Sequence, residues 1–378
     1  MAITVKEVAG KKELSTFIQL PARIHAGHGN WLPPLYMDEW EYFNPGKNKS
    51  FSHCDTVLYL AYRDGAPAGR LMGIINKKYN ALHGEKTARF AHFECFEDEA
   101  VAFALLDAVE EWGRQKGMEE IIGPFGFSEK DPQGFLIKGF DELPVIATSC
   151  NLPYMPQFVE KKGYGKKMDC FDFLIDLKDG GIPVHYSRIF ERVKRNPHFR
   201  LLEFESRKEL RPYIVPVFEL VNEAYKDIFG FQPLDEGEVK FLADRYLPLL
   251  NPRYVKIVAD DAGKVIAFFI GVPNMTKGIQ RSKGKLFPFG FLHILASARK
   301  AKQLDLLLGA IDDKYRGMGI DILMAWPMIQ QALQAGIERL ETHLVSEDNK
   351  AMLAEYQRIN ARMHKQFRIF RKTLNGVN

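Results

Sequence analysis

Apolar positions in this chain fall mostly into short blocks separated by polar, glycine-bearing turns, with stretches of helical spacing between them. Residues 59–62 and 66–71 are largely apolar runs on either side of Arg63-Asp64-Gly65, and residues 257–259 and 265–269 flank Asp260-Asp261-Ala262-Gly263-Lys264. Each pair predicts a β-hairpin that turns through glycine. Residues 185–194 and 213–229 carry helical patterns, the second with Val217, Leu220, Val221 and Tyr225 as apolar positions. Residues 112–121 and 332–340 each read as a helix end, a capping glycine (Gly117, Gly336) and the entry to a strand. The apolar run at 289–295 is expected to be a strand. Beyond it come an apolar strand at 306–311, a glycine-rich turn, an amphipathic helix at 322–333, a strand at 340–345 and a helix at 347–356, with Ser346 or Asp348 as its N-cap.

The two halves echo each other. Ala61 and Ala259, Asn151 and Asn349, and Phe158 and Tyr356 are separated by the same offset, and the helix–glycine–strand segments recur in the same order. Three such matches point to an internal duplication. The polar stretch at 176–183, with Asp179-Gly180-Gly181, is the expected boundary, dividing the chain into units at 1–177 and 178–378. The order of elements within each unit predicts an α/β (α+β) fold, a mixed sheet flanked by helices.

The turn after the 306–311 run reads Tyr315-Arg316-Gly317-Met318-Gly319-Ile320. Strand, glycine-rich turn and helix together offer unpaired backbone N–H groups and a positive helix end to an anion. Glycine serves there because a side chain blocks close backbone approach and restricts φ. The segment resembles motif A of the GNAT acyltransferases, whose pattern Arg/Gln-x-x-Gly-x-Gly/Ala binds the pyrophosphate of acetyl-CoA. Arg316 and Gly319 match; Asp321 stands where the pattern has Gly or Ala. Over the whole chain the layout resembles a tandem GNAT, as in the FemABX aminoacyltransferases and N-myristoyltransferase.

The resemblance implies two tandem GNAT-like domains and a site in the second. Backbone at Leu308, Gly309, Ala310 and Ile311 would hold the pantetheine arm and polarise the thioester carbonyl, an effect worth about 3 kcal/mol of barrier. Arg316, Gly317, Met318, Gly319 and Ile320 would hold the pyrophosphate. Asn349 and Tyr356 match motif B, in which the Asn contacts the cofactor arm and the Tyr protonates the departing sulfur. The Gly-Phe that follows in that motif is absent, with Asn360-Ala361 in its place. Seven residues are about two helical turns, so Asn349 and Tyr356 share a face. Core packing is the alternative use of Tyr356.

Deprotonating an amine calls for a general base. His293 is one candidate, with an ordinary pKa of about 6.5; Asp305 is another. In the first unit Glu97-Asp98-Glu99 stand where a pyrophosphate loop would lie, and Phe158 has no proton to give. That copy is therefore expected to shape the acceptor site or stabilise the pair rather than bind CoA. Glu129, Lys130 and Asp131, in a glycine-punctuated loop, are candidate pocket residues or members of a solvated turn.

Composition narrows the function. The net charge of +4, from 52 basic and 48 acidic residues, is too balanced to indicate a nucleic-acid binder. The four cysteines form no Cys-x-x-Cys pair and lack metal-ligand spacing, so no metal is expected. The N-terminus carries charge too early for a signal peptide, and the longest apolar stretch, residues 286–298, is too short to span a bilayer. A cytoplasmic protein with no membrane partner is expected. The resulting expectation is an N-acyltransferase that moves an acyl group from acetyl-CoA or another acyl-CoA co-substrate to a small-molecule or peptide amine. The alternatives are aminoacyl transfer from tRNA and a non-catalytic ligand-binding module.

Overall fold

The computed structural model describes residues 2–146, 148–178, 185–247 and 250–374. The boundary expected at Asp179-Gly180-Gly181 lies outside the described residues. In the first half the elements are β1 (Ile3–Glu7), α1 (Gly10–Gln19), α2 (Pro21–Ile24), α3 (Tyr36–Tyr42), β2 (Cys54–Arg63), β3 (Ala66–Asn76), α4 (Lys77–His83), β4 (Thr87–Cys95), α5 (Glu99–Gln115), β5 (Glu120–Gly123), β6 (Phe135–Lys138), α6 (Tyr154–Lys161) and β7 (Gly165–Asp176). The second half has α7 (His185–Lys194), β8 (Arg200–Leu202), α8 (Arg207–Leu210), α9 (Ile214–Ala224), α10 (Glu236–Tyr246), β9 (Val255–Ala259), β10 (Val265–Pro273), α11 (Thr276–Ser282), α12 (Gly290–Arg299), β11 (Gln303–Ile311), α13 (Ile320–Gln334), β12 (Arg339–Thr342), β13 (Val345–Ser346), α14 (Lys350–Arg358) and β14 (Arg362–Thr373).

Both hairpins form, β2 with β3 and β9 with β10. Helix α5 buries Val101, Ala102, Leu105, Leu106 and Val109, one apolar face at helical spacing. It packs on β3 at Gly69 and Gly73, where an added Cβ would lie 2.8 Å from Leu105 and Val109 respectively. Glycine there is a packing requirement, since the helix lies directly on the strand.

The fourteen strands among the described residues form one mixed, mostly antiparallel sheet whose main order is β1-β2-β3-β4-β5-β14-β7-β12-β11-β10-β9-β8. The halves exchange their last strands. β7 of the first half pairs with β12 of the second, β14 of the second pairs with β5 of the first, and β7 and β14 pair with each other in the middle. Phe370 and Leu374 consequently sit in the first half's core. Among the described residues no helix is long and apolar enough to cross a membrane.

One expected element is corrected. The run at 289–295 is not a strand but most of helix α12. A short apolar run bounded by Pro and Gly has no periodicity that separates a strand from a helix.

Candidate active site

In the second half, β11 and β12 pair in parallel from Gln303↔Arg339 to Leu306↔Thr342, and there the pairing stops. β13 pairs with β7 instead, so the two strands part. At the same point β11 carries a bulge: Leu306 and Leu308 face Gly271 and Ile270 of β10, and Leu307 between them has no partner. A bulge leaves the extra residue's backbone outside the ladder and bends its strand. Among the described residues the outer stretch, Leu308 to Ile311, pairs only with β10. Gly309 has no room for a side chain, since a Cβ would stand 2.5 Å from Phe269. Its carbonyl accepts a 2.9 Å hydrogen bond from the Tyr225 hydroxyl, which burial raises to about 12. From the sequence Tyr225 is only an apolar position of a helix, and Leu307 has no role of its own. A bulge has no local sequence mark.

The glycine-rich turn follows β11. Gly317 and Gly319 have φ of +75° and +80°, a region that side chains rarely adopt, and Gly319 begins α13 with no side-chain cap. Space above Gly317 is open, whereas Gly319 lies against Val193 of α7. Met318 is exposed and Ile320 buried. The Arg316 side chain is mostly exposed and its one ion pair among the described residues is with Asp313, at 2.7 Å. These features fit a phosphate-bearing ligand, with one local opponent. The Asp321 carboxylate lies against the Ile322 N–H at the helix start, and burial, with Glu355 nearby, raises it above its usual range.

Asn349 is the N-cap of α14, its side chain accepting from the Met352 N–H at 3.2 Å. Helix α14 therefore starts after Asn349, not at Ser346 or Asp348. Tyr356 stacks on Phe173 of β7 with ring centroids 4.8 Å apart. Burial raises its hydroxyl well above 10, with Asp172 and Glu355 adding to the effect, so it stays protonated.

The vertex between β11 and β12 holds a row of buried charge across four strands: Asp305 on β11, Glu341 on β12, Asp172 on β7 and Lys365 on β14. Glu341 accepts from Lys365 and from Gln303 at 2.5 Å, and its carboxylate lies 3.1 Å from His364 Nε2. Burial acts to raise it, but His364 and Lys365 hold it below its usual range. Burial holds the Asp172 carboxyl well above its usual range, and among the described residues neither of its oxygens has a hydrogen-bond partner. Asp305 accepts from Asn274 at 2.9 Å and Gln303 at 2.8 Å, while burial pushes its carboxyl up to about 7. A carboxyl poised there can both take and release a proton near neutral pH. His293 is elsewhere, half-buried on α12. Of the two bases weighed from sequence, the structure places Asp305 beside the parted strands.

The first half repeats the geometry with different chemistry. β4 leaves β5 after Arg89↔Ile122, and its register against β3 shifts at His92, which has φ of +49°. Arg70 is buried there, donating to Glu94 at 3.1 Å and to the Phe17 carbonyl at 2.9 Å. Glu39 lies 3.9 Å from Arg70, and burial pushes it up to about 7. This cluster was missed in the sequence, although a lone Arg inside an apolar strand is its signal, because such a charge must be paired. The start of α5 is closed to an anion: Asp98 caps it and pairs with Arg63 at 2.5 Å. Asp131, a candidate pocket residue, instead pins its own loop, accepting from the Phe127 N–H at 2.6 Å and the Tyr42 hydroxyl at 3.1 Å. Glu129 and Lys130 pair with each other at 2.9 Å.

The chain is 30% identical over 380 residues to a bacterial ceramide synthase of Caulobacter vibrioides, covering 98% of each protein. It belongs to that enzyme's family. It is also 25% identical to Protein YghO of Escherichia coli, over 98% of this chain and 95% of that one. No family model matches. Among solved structures, a tandem GNAT protein from the clavulanic acid biosynthesis pathway covers 100% of both chains with a TM-score of 0.58 at 14% identity. A GCN5-related N-acetyltransferase from Sphaerobacter thermophilus covers 100% of this chain and 97% of its own, with a TM-score of 0.53 at 13% identity. At these identities they speak for the fold. The protein has the tandem GNAT fold.

Proposed function

We propose that this protein transfers a fatty acyl group from acyl-CoA to the amine of a long-chain amino alcohol, giving a ceramide-type amide. The observation that carries this reading is the end-to-end similarity to the Caulobacter ceramide synthase. The parted β11 and β12 supply a place for the chemistry. Acyl-CoA supplies an activated thioester when bound. Arg316, Gly317, Met318, Gly319 and Ile320 would hold its phosphates, and the backbone from Leu307 to Ile311 would orient the arm and carbonyl. Asn349, the N-cap of the helix that carries Tyr356, would flank the arm.

The amine nitrogen forms a C–N bond to the acyl carbon as the C–S bond breaks. Asp305 takes the proton the amine loses, and Tyr356 gives its proton to the leaving sulfur, so the products are an amide and a free thiol. Burial suits both tasks, holding Tyr356 protonated and Asp305 close to neutral pH.

The direct test incubates the purified chain with a long-chain acyl-CoA and sphinganine, reading the amide by mass spectrometry and the thiol by a colorimetric reagent. Amide and thiol are expected in equal amounts. No amide in the presence of intact enzyme, with acetyl-CoA as well as the long-chain donor, would refute the reading.

Two substitutions test the phosphate loop. Arg316→Glu is expected to abolish CoA binding and leave unliganded unfolding unchanged, since Arg316 is exposed and, among the described residues, pairs only with an exposed Asp313. CoA at a hundredfold its Kd adds about 2.7 kcal/mol to the wild type, a thermal shift the variant should lack. Asp321→Ala removes a carboxylate from the helix start and is expected to tighten CoA binding about fivefold, corresponding to about 1 kcal/mol. Calorimetric titration reads the change, and equal affinities would place the phosphates elsewhere.

A further inference from the structure

Helix α12 is built the wrong way round for a helix against water. Phe291, Leu292 and Leu295 are exposed on its outer side, while His293, Ile294 and Ser297 are half-buried, and the backbone of this inner side lies against Gly278 of α11. The turn before it extends the apolar surface, with Phe287 73% and Phe289 67% exposed. An exposed apolar patch of this kind on a monomer marks a contact surface.

Its surroundings say what the contact is. Lys277, Arg281, Lys283, Lys285, Arg299 and Lys300 frame the patch, are all exposed, and make no ion pair among the described residues. From position 262 to 304 the chain has no acidic residue, in a protein whose overall charge is nearly balanced. Aromatic and aliphatic side chains ringed by unpaired cations are the chemistry of an amphipathic helix lying in a lipid headgroup region. A run too short to span a bilayer, the reason for expecting no membrane partner, is long enough to lie on one.

We infer that the α11–α12 hairpin docks the protein on an anionic phospholipid membrane surface, with Phe287, Phe289, Leu292 and Leu295 entering the interface and the surrounding lysines and arginines meeting the headgroups. The hairpin is firmly mounted. Gln280 donates to the Trp31 carbonyl at 3.0 Å, Thr276 to the Pro144 carbonyl at 2.8 Å, and the Tyr36 N–H to the Gly284 carbonyl at 3.1 Å. The same 31–36 segment leads into α3, which carries Glu39, so the docking face adjoins the first half's buried charge cluster. The inference does not depend on which amine is acylated.

The test is co-sedimentation of the full chain with phosphatidylcholine vesicles, with and without about one-third phosphatidylglycerol. Binding is expected to the anionic vesicles only and to weaken as salt rises. Phe287→Ser/Phe289→Ser/Leu295→Ser and Lys283→Glu/Lys285→Glu/Arg299→Glu/Lys300→Glu are each expected to lower binding at least about tenfold. All these residues are exposed, so thermal unfolding of both variants should match the wild type and exclude misfolding. Wild-type protein that stays in the supernatant, equal binding to neutral and anionic vesicles, or unchanged binding by the serine variant would each overturn the inference. So would a self-associated wild type that the serine variant turns monomeric without any vesicle binding, which would assign the face to a second copy of the chain.

Discussion

Replacing Asp305 by Asn is expected to lower kcat/KM for amide formation by about a hundred- to ten-thousandfold, the range for loss of a general base. In the wild type the rate should rise through about pH 7 as the Asp305 carboxyl loses its proton, and the variant should lack that rise. The pH profile is the discriminating readout, because an isosteric Asn that merely loosened the site would scale the curve without removing its inflection. Stability gives an independent check of the same carboxyl. Its pKa is about 7 when folded, against about 3.9 when unfolded, so the folded state binds the extra proton between those values. The sign follows: this carboxyl's contribution is fully present below about pH 4 and is lost as pH rises through 7, on the order of 4 kcal/mol in all. Asp305→Asn should flatten that part of the stability–pH curve and gain on the wild type above pH 7. Urea unfolding at several pH values measures it. A variant with unaltered pH–rate and pH–stability profiles would remove Asp305 from the mechanism.

The largest loss of stability is expected at Lys365→Met. Lys365 is 2% exposed and pairs with Glu341, which is 1% exposed. Removing one partner of a buried pair leaves the other charge uncompensated and costs about 3–5 kcal/mol. His364 and Gln303 still reach Glu341, which favours the lower end of that range. Chemical denaturation should show the loss, and Glu341→Gln added to Lys365→Met should recover much of it, since the double change removes the orphaned charge. If the double variant is no more stable than the single, the cost arises from packing of the Lys365 stem rather than from Glu341. Lys365 lies on β14, in the centre of the exchanged pair of strands, so its loss should weaken both halves together.

Much of the local structure was legible in the sequence. The two hairpins, the capping glycines Gly117 and Gly336, helix α7 and the strand–turn–helix around Gly317 and Gly319 follow from spacing and from residues that act within one turn of the chain. Asp321 could likewise be flagged from sequence, since a carboxylate at a helix start affects whatever anion comes there. Helix α12 was misread for the opposite reason. Its outer face is apolar, so its pattern does not mark the side that faces the protein.

The sequence by itself determined an α/β chain with two matching halves, a glycine-rich turn opening a helix, and a helix that carries Tyr356 just after Asn349. Those features depend on neighbours in the chain, and chain order contains them. Only the tertiary structure decided that the halves trade their last strands, that Leu307 is the bulged residue where β11 and β12 part, and that Asp305 rather than His293 stands at that vertex. It alone brought Asp172, Asp305, Glu341 and Lys365 into one buried row, from four strands far apart in the chain. The physical reason is that a carboxylate's charge state is set by burial and by the charges across the sheet, and neither is a property of its sequence neighbours.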